Sequence, residues 1–204
     1  MGRRKKPFVE INGYAIEPDA NLSGVDLSGA DLSNANLSGA NPTNTILRSV
    51  NLSDAHLEKA NLWCASLENT SPTGAKLTHT NLTGANLWRA IILEAQMGDA
   101  NLSDVNLSEA NLESANLWRA NLWNANLSDA NLMDGNLRRA ILTHANLKNA
   151  FLDSANLSSA NLSSANLSSA NLWCANMFGA DLTDANLAGA ILSGATMPDG
   201  TIHD

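Results

Sequence analysis

The sequence predicts an all-β solenoid, a chain that bends about a right angle every five residues and closes a four-sided coil every twenty. Three observations carry that prediction. Leucine fills 30 of the 36 positions at five-residue intervals from 22 to 197, the exceptions being Pro42, Pro72, Ile92, Met97, Met177 and Met197. Two residues before each of these centres, 29 of 36 residues are Ala, and one before, 25 of 36 are Asn or Asp. No insertion interrupts the register.

The period itself selects the structure. A helix advances ~100° per residue, so leucines five apart would scatter around its cylinder. A flat strand alternates faces with period two, so an odd repeat would flip its Leu face each time. A chain that bends every fifth residue keeps all the leucines on one side. Ala and Leu, two apart on a short extended stretch, then point together into the coil, and the other three residues face water.

Composition agrees. Apolar residues make up 44 % of the 204, yet aromatic residues only 4 %. Such a core is built from Ala and Leu in identical small layers rather than from mixed shapes. Charged residues are 16 %, too few for a disordered polyelectrolyte.

Four segments follow in order. Residues 1–6, with Arg3, Arg4, Lys5 and Lys6, read as a basic flexible tail. Residues 7–19 read as an N-terminal cap, because solenoid ends need covering. Phe8, Val9, Ile11, Tyr14 and Ile16 supply its apolar groups, and Asn12-Gly13 suits the tight turn of a hairpin. Residues 20–197 are the solenoid, 36 units that make about nine coils and a rod of ~43 Å at strand spacing. Residues 198–204 form a short tail, expected to leave that end of the rod uncovered. Pro42 and Pro72 sit at centres and lack a backbone donor, which predicts local weakness in the first half.

The units Ala-Asn-Leu-Ser-Ser, at 155–159 and again from 160 and 165, and Ala-Asp-Leu-Thr-Asp at 180–184 resemble the pentapeptide-repeat family. That pattern is a small residue, Asp or Asn, Leu or Phe, then two variable polar residues. The resemblance covers residues 20–197, and the closing phrase from Met197 to Asp204 is similar to the ends of cyanobacterial members. It implies a right-handed quadrilateral β-helix. It also implies dimerisation of two chains through a rod end, as in some relatives.

Nothing in the sequence calls for catalysis, a metal or a cofactor. His56, His79, His144 and His203 fit no ligand spacing. Serine fills repeat surface slots rather than a triad. Cys64 and Cys174, five and a half coils apart, should stand on opposite sides as free thiols. No segment reads as a secretion signal or a bilayer span, so the cytoplasm is the expected location. From residue 20 onward 17 acidic residues face 8 basic ones, a net of −9, which disfavours direct nucleic-acid binding by the body.

The solvent columns point to function. Residues twenty apart should stack. The side centred on Leu32, Leu52 and onward carries Asp54, Glu94, Glu113, Asp134 and Asp153 with Ile91, Leu93, Met133, Phe151, Trp173 and Ile191. An acidic side studded with apolar groups fits a protein partner. The next side, with Lys59, His79, Trp118, Arg119, Arg138, Arg139 and Phe178, is the more basic one. All five Trp (63, 88, 118, 123 and 173) directly follow a centre and so point outward, which disfavours a single aromatic stripe for stacking bases.

The first functional reading is therefore a non-enzymatic protein-interaction scaffold. The alternative, which the resemblance implies, is an acidic DNA mimic that binds a type II topoisomerase such as gyrase. Duplex DNA carries about 25 charges over ~43 Å, whereas the body has a net of nine, and no Phe stands at any centre. An ice- or crystal-binding face fits worst, because such a face needs one long Thr or Ser column free of large groups and the columns here are interrupted by Trp, Asp and Arg.

Overall fold

A computed structural model describes residues 9–204. The basic tail, residues 1–6, and the first two cap residues, Pro7 and Phe8, lie outside them. Parallel bridges join residues twenty apart along the chain, from Asn21↔Asn41 to Asn176↔Thr196. Four bridge columns alternate every five residues, so the coil has four sides. They are named here by their first centres: the Leu22, Leu27, Leu32 and Leu37 sides.

One unit shows how the coil holds. The Leu62 amide donates to Asn81 O in the next coil at 2.7 Å, and Cys64 N–H donates to Thr83 O at 3.0 Å. Asn61 N–H reaches back to Ala40 O at 2.9 Å, and Ala65 N–H closes the corner onto Leu62 O at 3.0 Å. Two amides point to the following coil, one to the preceding coil, and one into the turn. Every backbone amide but one is thereby spent, which a chain without wide sheets must otherwise leave to water.

The corner dictates its own chemistry. The second residue after each centre has positive φ from Gly24 through Gly194, for instance Asn34 at 57°, Asp134 at 56° and Ser154 at 56°. A β-turn with positive φ at its third residue favours Gly, Asn and Asp and excludes β-branched side chains. No Val, Ile or Thr stands at any of these positions. Ser154→Val is expected to lower stability by about 1–2 kcal/mol, and Ser154→Gly not at all; thermal melts of the two variants distinguish them.

The Asn or Asp before each centre also has a stated task. Asn61 Oδ1 accepts the Trp63 N–H at 3.4 Å, and Asn81 Oδ1 accepts the Thr83 N–H at 3.2 Å. This local bond pins the entry to the corner. Its amide N–H groups are then free to donate one coil down. The longest such ladder runs on the Leu27 side from Asn186 through Asn166, Asn146, Asn126 and Asn106 to Asn86. Of Asn156, Asn161, Asn166 and Asn171, only Asn166 joins an Asn ladder. Below Asn161 and Asn171 stand Ile141 and Phe151, which cannot accept. Where Asp replaces Asn, at 26, 31 and 181, the hydroxyl and the N–H of the Ser or Thr two residues on hold the carboxyl below its ordinary value, and Thr201 does the same for Asp199 beyond the last centre.

The core is the paired Ala and Leu columns, nearly all fully buried. Three buried threonines replace Ala, and each satisfies its hydroxyl on a backbone carbonyl: Thr45 on Leu22, Thr70 on Leu67, Thr80 on Leu77. At Pro42 and Pro72 the missing donor breaks the bridges 41↔61 and 71↔91, which are absent among the described residues. The following threonine supplies a weaker substitute, Thr43 Oγ1 to Asn61 O and Thr73 Oγ1 to Ile91 O, both at 3.4 Å.

The two ends differ. Strands β1 (Val9–Ile11) and β2 (Tyr14–Ile16) form an antiparallel hairpin, turned by Asn12 and Gly13 with φ of 53° and 82°. Ile16 is buried and Ile11 packs on the core of the first coil. At the other end Leu182, Leu187, Leu192 and Met197 are only partly buried. The closing residues are not a loose tail. They fold back, pairing Thr196 with Ile202 antiparallel and His203 N–H with Ala195 O at 2.9 Å, and so edge one of the four sides.

Candidate interaction surface

The Leu32 side gathers the residues singled out from the sequence, in two grades of exposure. Ile91, Phe151, Trp173 and Ile191 are 47 %, 50 %, 51 % and 53 % exposed. Among the described residues, four of the eleven large exposed apolar side chains thus lie on this one side. Ile91, Phe151 and Ile191 occupy the slot that Asn fills elsewhere, so each stands where a ladder rung is missing. Leu93 and Met133 are half-buried between them.

The acidic residues divide in the same way. Asp54, Glu94 and Asp134 sit at corners with φ of 56° and are exposed. Glu113 and Asp153 are half-buried, which their outward slot did not foretell. Asn131 donates to Glu113 Oε2 at 3.3 Å as well as to Asn111 Oδ1 at 3.0 Å. Asn171 has only Phe151 one coil below and turns to Asp153 Oδ1 at 2.6 Å. Asp153 Oδ2 is buried without a partner. The corner carboxylates therefore face outward, while the two inner ones belong to the rod's own polar bonding.

The Leu37 side is less cationic than its sequence suggests. Arg119 pairs with Asp99 at 3.2 Å and lies over the Trp118 ring at 4.9 Å. On the Leu27 side Arg89 stacks on Trp88 at 4.3 Å and pairs with Glu109 at 2.7 Å. Glu109, held by Arg89 and the Trp88 indole N–H, is pulled below its ordinary value. These two indoles are covered by their neighbouring arginines, whereas Trp63, Trp123 and Trp173 are not. Spacing alone could not separate the two groups, but an Arg directly after Trp88 and Trp118 was the available signal. Among the described residues no group of three or more His, Cys, Asp and Glu is placed to hold a metal ion. Nor is any helix there long and apolar enough to cross a membrane.

The model of pentapeptide repeats matches in eight copies, reaching from 19–54 at one end to 160–198 at the other. The chain belongs to the pentapeptide-repeat family. Members of that family are right-handed quadrilateral β-helices, in keeping with the four bridge columns. Among solved structures the chain is similar to HetL of the cyanobacterium Nostoc sp. strain PCC 7120, a pentapeptide repeat protein involved in heterocyst differentiation regulation. Identity there is 37 %, over 91 % of this chain and 92 % of that one, with a TM-score of 0.51. It is also similar to QnrB1, a plasmid-mediated fluoroquinolone resistance protein, at 18 % identity over 86 % of each chain and a TM-score of 0.43. Rfr23 of the cyanobacterium Cyanothece 51142 matches at 26 % identity over 92 % of this chain and 91 % of that one, with a TM-score of 0.17. No curated protein matches the sequence.

Proposed function

We propose that this pentapeptide-repeat rod, of about nine coils, is a non-enzymatic protein-interaction module whose contact surface is the Leu32 side. The observation that carries the reading is the row of exposed Ile91, Phe151, Trp173 and Ile191 beside the corner carboxylates of Asp54, Glu94 and Asp134. Exposed apolar groups ringed by charge are the ordinary make-up of a contact core and its rim. A relative 37 % identical is involved in the regulation of a developmental process, and a regulator without chemistry acts by contact. The expected partner face is apolar with a basic rim.

Glu94→Lys combined with Trp173→Ala is expected to abolish partner capture while leaving the melting temperature unchanged, since both side chains are exposed. A single exposed aromatic anchor commonly costs more than 1 kcal/mol on truncation. Undiminished capture by the double variant would count against the Leu32 side. The partly open coil at Leu182, Leu187 and Leu192 supports a second contact, between two copies of the chain. Light scattering at micromolar concentration should then give twice the chain mass.

The net negative charge favours one further reading, a DNA mimic on a type II topoisomerase. Glu68, Glu109 and Asp99 are each paired with an arginine, which interrupts the acidic surface where a duplex is continuously charged. This reading predicts inhibition of supercoiling by purified gyrase, and an inert protein in that assay removes it.

A further inference from the structure

The Leu22 side, opposite the proposed contact face, differs from the other three. Over its first eight coils the column before the centres, Asn21 to Asn161, and the column after them, Ser23 to Ser163, contain no ionisable side chain; Asp181, in the ninth, is the first. Each other side carries acidic or basic residues in both or one of these columns. Two indoles, Trp63 and Trp123, project from this uncharged strip, 45 % and 44 % exposed. They occupy one column three coils apart, ~14 Å at strand spacing. His144 stands edge-on to Trp123 with ring centroids 6.5 Å apart.

Between the indoles the column drops to Thr83 and Ser103, whose hydroxyl oxygens are 3.4 Å apart. Both hydroxyls spend their protons inward, on Asn81 Oδ1 at 2.7 Å and on Asn101 Oδ1 at 3.0 Å. Their oxygens therefore face outward as acceptors. The Asn81 amide donates one N–H to Asn61 Oδ1 at 2.8 Å and keeps the other for solvent. Asp104, at the neighbouring corner, is held by the Asn124 amide at 2.8 Å. The strip thus offers acceptors, amide donors and two aromatic faces, with one carboxylate, Asp104, at its edge and no cation between the indoles.

We propose that this side binds a neutral glycan, an extended β-linked pyranose chain lying along the rod. A pyranose ring has a C–H face that suits the electron-rich face of an indole. Its rim of hydroxyls both donates and accepts, which matches Thr83, Ser103, Asn81 and Asn101. One pyranose residue of such a chain is about as long as the rise per coil, and alternate residues turn the same edge to the rod, so their hydroxyls meet every second rung. Single-stranded nucleic acid would need a basic groove, and the strip has no cation.

The test is titration of the full chain with cellohexaose, followed by tryptophan fluorescence and calorimetry. Saturable binding is expected, weakened about tenfold or more in Trp63→Ala and in Trp123→Ala. Thr83→Glu, which keeps both indoles but adds a charge, should weaken it as well. Trp173→Ala, on the opposite side, should leave it unchanged, which separates this inference from the protein-contact reading. Melting temperatures of the variants establish that each is folded. No saturable signal at millimolar cellohexaose overturns the proposal. So does undiminished binding by the Trp63→Ala/Trp123→Ala double variant, or equal binding of heparin as a polyanion.

Discussion

Leu127→Ala is expected to destabilise the rod by about 2–5 kcal/mol, read as a lower midpoint in chemical denaturation. Leu127 is fully buried in the middle of the rod, and its amide bonds to Asn146 O at 2.7 Å. Truncation removes the transfer free energy of the lost methyl groups and leaves a hole whose walls are tied by coil-to-coil bonds above and below. Those walls cannot close in without straining the ladder, which favours the upper part of the range. Because each coil touches only its neighbours, the damage should also be local. The expected signature is a lower denaturant slope, as one half of the rod opens before the other. An unchanged midpoint would mean that Leu127 does not line a dry axis.

The opposite change tests the other column. Ala160→Leu is expected to cost about 1–3 kcal/mol by overpacking. Ala160 is 1 % exposed, and alanines at 140 and 180 stand one coil below and above it. Each side of the coil places one large and one small group inward, and a second Leu has nowhere to go but into the facing sides. A melting temperature equal to that of the parent chain would argue against an inward Ala column. Ser163→Ala, on the surface, is expected to stay within about 0.5 kcal/mol.

The core and the four sides were legible in the sequence because one period governs both. Leu and Ala repeat with the bend, so counting alone places each residue on a side. The corners were legible too, through the missing β-branched residues at Asp54, Glu94 and Ser154, although only the positive φ gives that gap its meaning. What counting could not supply was the choice each polar side chain makes among neighbours. Asn171 turns to Asp153 because Phe151 cannot accept, and that depends on three residues in two coils. Burial of Glu113 and Asp153, and the arginines lying on Trp88 and Trp118, are decisions of the same kind. The return of residues 198–204 along the rod's edge was invisible, since that segment has left the repeat.

The direction of the coil-to-coil bonds has a consequence for the rod as a whole. In each unit two amides point toward the last coil and one toward the first, so one peptide dipole per unit remains uncancelled. Summed along the axis, these give the rod a positive pole at its C-terminal end, the reverse of an α-helix. The unmatched N–H groups of Leu182, Asp184, Leu187, Gly189 and Leu192 mark that pole. The sequence answers it with Asp181, Asp184, Asp199 and Asp204. The last coil thus carries its own counter-ions, and replacing those aspartates by asparagine would leave a field there that attracts anions.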